Sequence, residues 1–66
     1  MLHFIPHAKR RQEERQISLQ DCLDCIHNGF HHVQPNGRLR YFDAHMVLIA
    51  ENCVSFLKVI TLWKVA

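Results

Sequence analysis

Three side chains that can bind phosphate or move a proton recur every four residues near the start of the chain. They are His7, Arg11 and Arg15, and on a helix they fall within roughly 80° of one face. Guanidinium groups present a planar fork of donors that matches phosphate oxygens. A neutral imidazole beside them can act as general base toward a ribose 2′-hydroxyl. The spacing therefore predicts a phosphate-binding site with His7 as base and two arginines that stabilise charge developing on phosphorus.

The same segment has a simpler interpretation as a solvated surface helix. Oppositely charged residues lie three and four positions apart along residues 9–15, which is the spacing of helical ion pairs. Arg11 could pair with Glu14 in this way, and His7 could simply anchor the helix. Both interpretations stay open at the level of the sequence.

A second basic segment lies in the middle of the chain. Most of the basic residues fall within residues 9–15 and 38–40, although the formal net charge is only +2. In an extended strand Arg38 and Arg40 share one face, and the neighbouring Tyr41 could stack on a base or donate a proton. Two concentrated basic patches favour a polyanionic ligand such as RNA.

The cysteines raise the question of a metal. Cys22 and Cys25 form a C-x-x-C pair, followed by histidines that could complete a zinc site: His27, His31 and His32. The pair falls inside an amphipathic helical pattern, however, where a free cysteine behaves as a small core residue. We therefore predict no metal and no cofactor. Three cysteines, an odd number, favour reduced thiols and a cytoplasmic location.

Helix signals precede strand signals along the chain. Pro6 suits the first position of a helix over residues 7–16. Ser18 and Asp21 form a capping-box pattern for a second helix that Asn28 and Gly29 end. Alternating or continuous apolar patterns then predict four strands: residues 30–34, 38–42, 45–51 and 55–63.

These elements predict a single domain over residues 1–66. Its expected fold class is α+β, with two N-terminal helices packed on one face of a four-stranded antiparallel sheet. The apolar run near the C-terminus is 13 residues long and contains two lysines, too short and too polar to span a membrane. The opening apolar stretch is short and is followed by Pro6 and a basic run, so we expect no signal peptide. Since both faces of the last strand are apolar, the face that the helices leave uncovered is expected to contact a partner.

Several residues in one order carry a resemblance to a known family. The residues are His7, Ala8, Arg11, Arg15, Ile17 and Ser18, then Ile26–Gly29, and finally Val59–Thr61. In this arrangement the chain resembles the bacterial family catalogued as domain of unknown function 4258. The resemblance implies a compact fold grouped with the barnase, colicin and RelE-like ribonuclease toxins, many of which cleave RNA without a metal and are inhibited by a protein antitoxin. It also implies that four residues occupy the family's recurring polar positions: His7, Arg11, Arg15 and Thr61.

The leading functional prediction is a toxin-like endoribonuclease that acts without a metal. His7 would be the base, Arg11 and Arg15 would bind the phosphate, and the substrate contacts would come from four further residues: Arg38, Arg40, Tyr41 and Thr61. The expected partners are RNA and either a protein antitoxin or a second copy of the chain. The alternative is a non-catalytic module that binds RNA or protein through the apolar sheet face.

Overall fold

A computed structural model describes residues 1–65, which form one five-stranded sheet and two helices. Within these residues no helix has the length and hydropathy needed to cross a membrane. The elements in chain order are β1 (Leu2–Phe4), α1 (Pro6–Glu14), α2 (Leu19–Asn28), β2 (Phe30–Val33), β3 (Leu39–Phe42), β4 (Met46–Asn52) and β5 (Leu57–Lys64).

The predicted four-stranded antiparallel sheet is wrong, because the sheet has a fifth strand and is mixed. The strand order is β1-β5-β4-β3-β2, and β1 pairs with β5 in parallel while the other neighbours are antiparallel. The helices therefore lie between the first and second strands of the chain rather than before all of them. Leu2 and Phe4 pack against the core from β1. Three residues are too few to show an alternating pattern, and the strand gains its stability from pairing with a segment more than fifty residues away.

The first helix has a defined beginning and end. Pro6 occupies its first turn, where the missing N–H costs no hydrogen bond. At the other end Gln16 has a φ of 54°. The N–H of Gln16 donates to the carbonyl of Glu13 at 3.2 Å, and that of Ile17 donates to the carbonyl of Gln12 at 3.0 Å. This is a Schellman motif with glutamine in the position that glycine usually fills, and it turns Ile17 into the core.

The second helix has the predicted capping box. The N–H of Asp21 donates to Ser18 Oγ at 2.9 Å, and the N–H of Ser18 donates to Asp21 Oδ2 at 3.0 Å. The helix ends at Gly29, where a Cβ would lie 2.5 Å from the carbonyl oxygens of both Cys25 and Phe42. Only glycine permits this approach of α2 to the sheet.

Both helices cover the same face of the sheet. The α1 helix lies over β5 and β1, and α2 lies over β2, β3 and β4. Side chains along a strand alternate between the two faces, so every second residue of β4 points toward the helices. The core beneath them contains Ala8, Ile17, Cys22, Cys25, Met46, Leu48, Ala50, Val59 and Leu62.

A bulge interrupts the pairing of β4 with β5. Thr61 lies opposite Ile49, and Val59 lies opposite Ala50, which leaves Ile60 as an extra residue in β5. The bulge shifts the alternation of β5 by one residue. As a result the strand points apolar side chains toward the helices both before and after it.

Candidate functional site

The three predicted catalytic residues lie on the surface of α1. His7 is in its first turn and Arg15 is at its C-terminal cap, and both side chains are exposed. Arg11 Nη1 lies 3.1 Å from Glu14 Oε1 in an ion pair between residues three apart. Exposed pairs of this kind contribute little to stability and exchange readily with other anions. The helical spacing is therefore as expected, but one of the two guanidiniums already has a carboxylate partner.

The predicted substrate contacts are divided between the two faces of the sheet. Arg40 is opposite Ile49, and Tyr41 is opposite Leu48, which belongs to the core under the helices. Since consecutive residues of a strand point to opposite faces, Arg40 points away from the helices and Tyr41 points toward them. Tyr41 packs on the core, half-buried. It therefore lies on the other side of the sheet from Arg40.

The sheet face away from the helices, which we call the open face, contains the other three predicted contacts together with further side chains. Thr61 shares it with Arg40, since both flank Ile49 of the central strand β4. Arg38 joins it through its contact with Glu51. By register, the open face comprises His3, Phe30, His32, Arg40, Phe42, Val47, Ile49, Glu51, Lys58, Thr61 and Trp63.

Aromatic rings form one row across the open face. Phe30 is paired with Phe42, Phe42 with Val47, and Val47 with Trp63. The ring centroids of Phe30 and Phe42 are 5.8 Å apart. Val47 is only 5% exposed although no helix covers this face, because its large neighbours in the row shield it. Phe30, at the end of the row, is 70% exposed.

The open face also carries the net positive charge of the protein. Its charged residues are Arg38, Arg40 and Lys58 against the single carboxylate of Glu51. The remaining five basic and five acidic residues of the sequence balance one another. Glu51 Oε1 lies 3.5 Å from Lys58 Nζ and 3.9 Å from Arg38 Nη2, so one carboxylate is shared between two cations. Among the residues that the structure describes, Arg40 has no carboxylate contact, and it lies 5.9 Å from the centroid of the Phe42 ring.

Two cavities differ sharply in their chemistry. A groove of about 680 Å³ on the β2 side is lined by Phe30, His31, His32, Arg40 and Phe42.

A smaller cavity of about 300 Å³ lies beside α2 at the first residue of β4, Met46, and is lined largely by acidic and apolar residues. Two of its carboxylates have structural roles: Asp21 is in the capping box, and Asp43 Oδ1 accepts from the N–H groups of His45 and Met46. Neither cavity includes His7, Arg11 or Arg15.

The cysteines of α2 belong to the core. Cys22 and Cys25 are fully buried, and burial raises the pKa of both thiols to about 11. Cys25 Sγ lies 4.0 Å from the carbonyl oxygen of Met46, as a weak donor. Thiols of this kind stay protonated at neutral pH and are poor nucleophiles. Across residues 1–65 no group of three or more His, Cys, Asp or Glu side chains is arranged to hold a metal ion.

Sequence reasoning missed the aromatic residues of the open face. Phe30, Phe42 and Trp63 are not among the residues that the sequence pattern predicts to contact RNA. The alternation of residues 38–42 contained the necessary signal, because Arg40 and Phe42 are two apart and must share a face. Placing Trp63 beside them required the register of β3, β4 and β5, which is a tertiary property.

Comparisons with protein-family models, with curated proteins and with solved structures found no match to this chain. The resemblance to domain of unknown function 4258, and the ribonuclease fold group it implies, stay predictions.

Proposed function

We propose that this protein is a small RNA-binding module that uses its open face. One observation carries the proposal: the open face combines the exposed ring of Phe30 and the half-buried rings of Phe42 and Trp63 with all of the net positive charge of the chain. Surfaces that bind nucleic acid strands combine cations that contact phosphates with aromatic rings that contact bases. Arg38, Arg40 and Lys58 contact the phosphates, and the aromatic row contacts the bases. With its three free cysteines, the protein functions in the reducing environment of the cytoplasm.

A pair of charge variants on opposite faces tests which surface binds. Arg40→Gln removes a cation from the open face, and Arg10→Gln removes an exposed cation from α1. The binding of a fluorescently labelled RNA is measured by anisotropy at 100 mM KCl. Arg40→Gln should weaken binding about five- to tenfold, since a charge-assisted contact contributes roughly 1–1.5 kcal/mol. Arg10→Gln should change it less than twofold.

Equal losses of affinity in the two variants would contradict the proposal, because they would show that RNA binding depends only on the overall charge of the protein. A larger loss with Arg10→Gln would move the binding surface to α1. Circular dichroism and thermal melting of each variant exclude unfolding as the cause.

Cleavage of RNA at α1 is a second candidate function. It is favoured by the exposure of His7 and Arg15 and by the four basic residues within residues 9–15. The test is incubation of RNA with the wild-type protein and with His7→Ala, each prepared in the presence of a metal chelator. Cleavage that His7→Ala abolishes supports a toxin-like endoribonuclease. Equal cleavage by both proteins removes His7 from the mechanism.

The outer edge of β2 is where a partner chain can add, either a protein antitoxin or a second copy. The N–H of Gln34 donates to the carbonyl of Arg38 at 2.8 Å, which fixes the ladder so that the backbone groups of His31 and Val33 point outward. All four residues of β2 are exposed. Light scattering coupled to gel filtration tests for a homodimer, and Val33→Pro, which removes an outward N–H, should abolish it.

A further inference from the structure

The groove on the β2 side is lined by aromatic and cationic side chains that suit a flat ring; four of its lining residues belong to the open face, and His31 lies on the helix side. Phe30 and Phe42 form one wall with their rings tilted 30° to each other. Arg40 and His32, paired across β2 and β3, form the next row on the same face. The volume of about 680 Å³ falls within the range of small-molecule sites. Phe30 is a large apolar side chain left mostly in water, and an occupant that covers it is favoured by the hydrophobic effect.

We propose that this groove binds an unpaired nucleobase of single-stranded RNA, which stacks on Phe30 and Phe42 while Arg40 contacts the adjoining phosphate. The inference rests on the proposed function and narrows its substrate from RNA in general to single strands. Charge complementarity favours this occupant, since Arg40 lines the groove and has no carboxylate contact within residues 1–65. A neutral apolar ligand would leave that guanidinium unused.

Whether a base can enter the groove depends on whether the RNA is single-stranded or base-paired. In a duplex the flat faces of the bases are stacked on their neighbours and cannot reach a protein ring. A single strand can splay a base outward and stack it on an aromatic side chain. Arg40 Cζ lies 5.9 Å from the Phe42 centroid, so the guanidinium can reach the phosphate next to a base that contacts that ring.

The test compares a 12-nucleotide single strand with the duplex of the same sequence, using wild type and three variants. Phe30→Ala removes the exposed ring, and Phe30→Trp keeps an aromatic face. Leu19→Ala removes an exposed apolar side chain of similar accessibility from α2 on the helix side. Phe30 and Leu19 are both largely exposed, so each variant should fold, and thermal melting verifies it. A 2-aminopurine base in the single strand reports stacking directly by its loss of fluorescence.

We expect Phe30→Ala to weaken single-strand binding about 5- to 150-fold, the range for loss of one stacked base. Phe30→Trp and Leu19→Ala should bind within twofold of wild type. The duplex should bind at least fivefold more weakly than the single strand and should not respond to Phe30→Ala. Quenching of 2-aminopurine should occur with wild type and be lost with Phe30→Ala.

Two different failures are distinguishable. If the duplex binds as tightly as the single strand, or if Phe30→Ala binds like wild type while Arg40→Gln is weakened, the base site is overturned and RNA binding by the open face stands. If neither nucleic acid binds, the base site and the proposed function are both overturned.

Discussion

Glu51 provides the sharpest test of the open face, because its loss should improve binding. Its carboxylate lies within 4 Å of both Lys58 and Arg38, and the three side chains are each about 40% exposed. Surface pairs of this kind contribute roughly 0–1 kcal/mol to stability. Glu51→Gln should therefore leave the fold intact while freeing two cations for phosphate.

The magnitude follows from the number of cations. A plot of the logarithm of the affinity for a single strand against the logarithm of the salt concentration is a straight line. Its slope is about −0.7 for each phosphate that the protein neutralises. Three cations on the open face limit the slope to about −2 by this rule. Within residues 1–65, Arg40 is the one cation of the three without a carboxylate contact, so the wild-type slope should be shallower, about −0.7. Glu51→Gln should approach −2 and should bind about three- to tenfold more tightly at 50 mM KCl, where screening is weak.

The assay is anisotropy titration of a labelled single-stranded RNA from 50 to 300 mM KCl. Glu13→Gln is the matched control, because it makes the same change of charge at an exposed position of α1. If the two variants gain affinity equally, only the overall charge matters and the proposed role of the open face is refuted. A slope unchanged by Glu51→Gln would show that Arg38 and Lys58 do not contact phosphate.

Three further predictions concern stability and reactivity. Gln16→Gly should stabilise the protein by about 1 kcal/mol, because a residue with a side chain pays about that much to adopt a left-handed conformation. In a domain of this size the melting temperature should rise by roughly 4–8 °C. A lower melting temperature would contradict the Schellman assignment. The hydrogen bond from the Ser18 N–H holds the pKa of Asp21 below its ordinary value of 3.8, so the stability it adds is complete well above pH 3.8 and is lost as the pH falls through the lowered value. The difference in melting temperature between wild type and Asp21→Asn should therefore shrink on acidification from pH 7 to 2.5, and a constant difference would show that the charge is not involved. Cys53, which is partly exposed, should react with a thiol reagent in the native protein while the two buried thiols of α2 react only on unfolding; three equally fast thiols would refute their burial.

Local signals explain why most elements could be predicted. The capping box at Ser18 and the glycine at position 29 define α2 through hydrogen bonds and steric limits that act within a few residues. The continuous apolar run of Met46–Ala50 is the buried part of the central strand β4. The missed strand, Leu2–Phe4, has no such signal, and its existence depends on a parallel partner at the far end of the chain.

The candidate site was harder to predict for a related reason. The spacing of residues along α1 groups cations that are near in sequence, and this grouping predicts a phosphate-binding site with His7 as its base. The open face contains residues from all five strands, with β2 at one edge and β1 at the other, so the residues that belong to it are determined by strand register. A shift of one residue in that register would exchange Arg40 for Tyr41 on the open face. Sequence alone does not specify the register at that precision.

Because of the bulge at Ile60, the alternation of side chains between the two faces of the sheet is shifted by one residue between the two ends of β5. Before it, Lys58 lies next to β1 and Val59 is in the core. After it, Thr61 and Trp63 lie on the open face and Leu62 is in the core. A chain shortened by that single isoleucine would have to invert one half of the strand. Either Val59 would turn into solvent, or the indole would exchange places with Leu62 and leave the aromatic row. One extra residue thus lets both halves of a single strand contribute side chains to the core and to the open face.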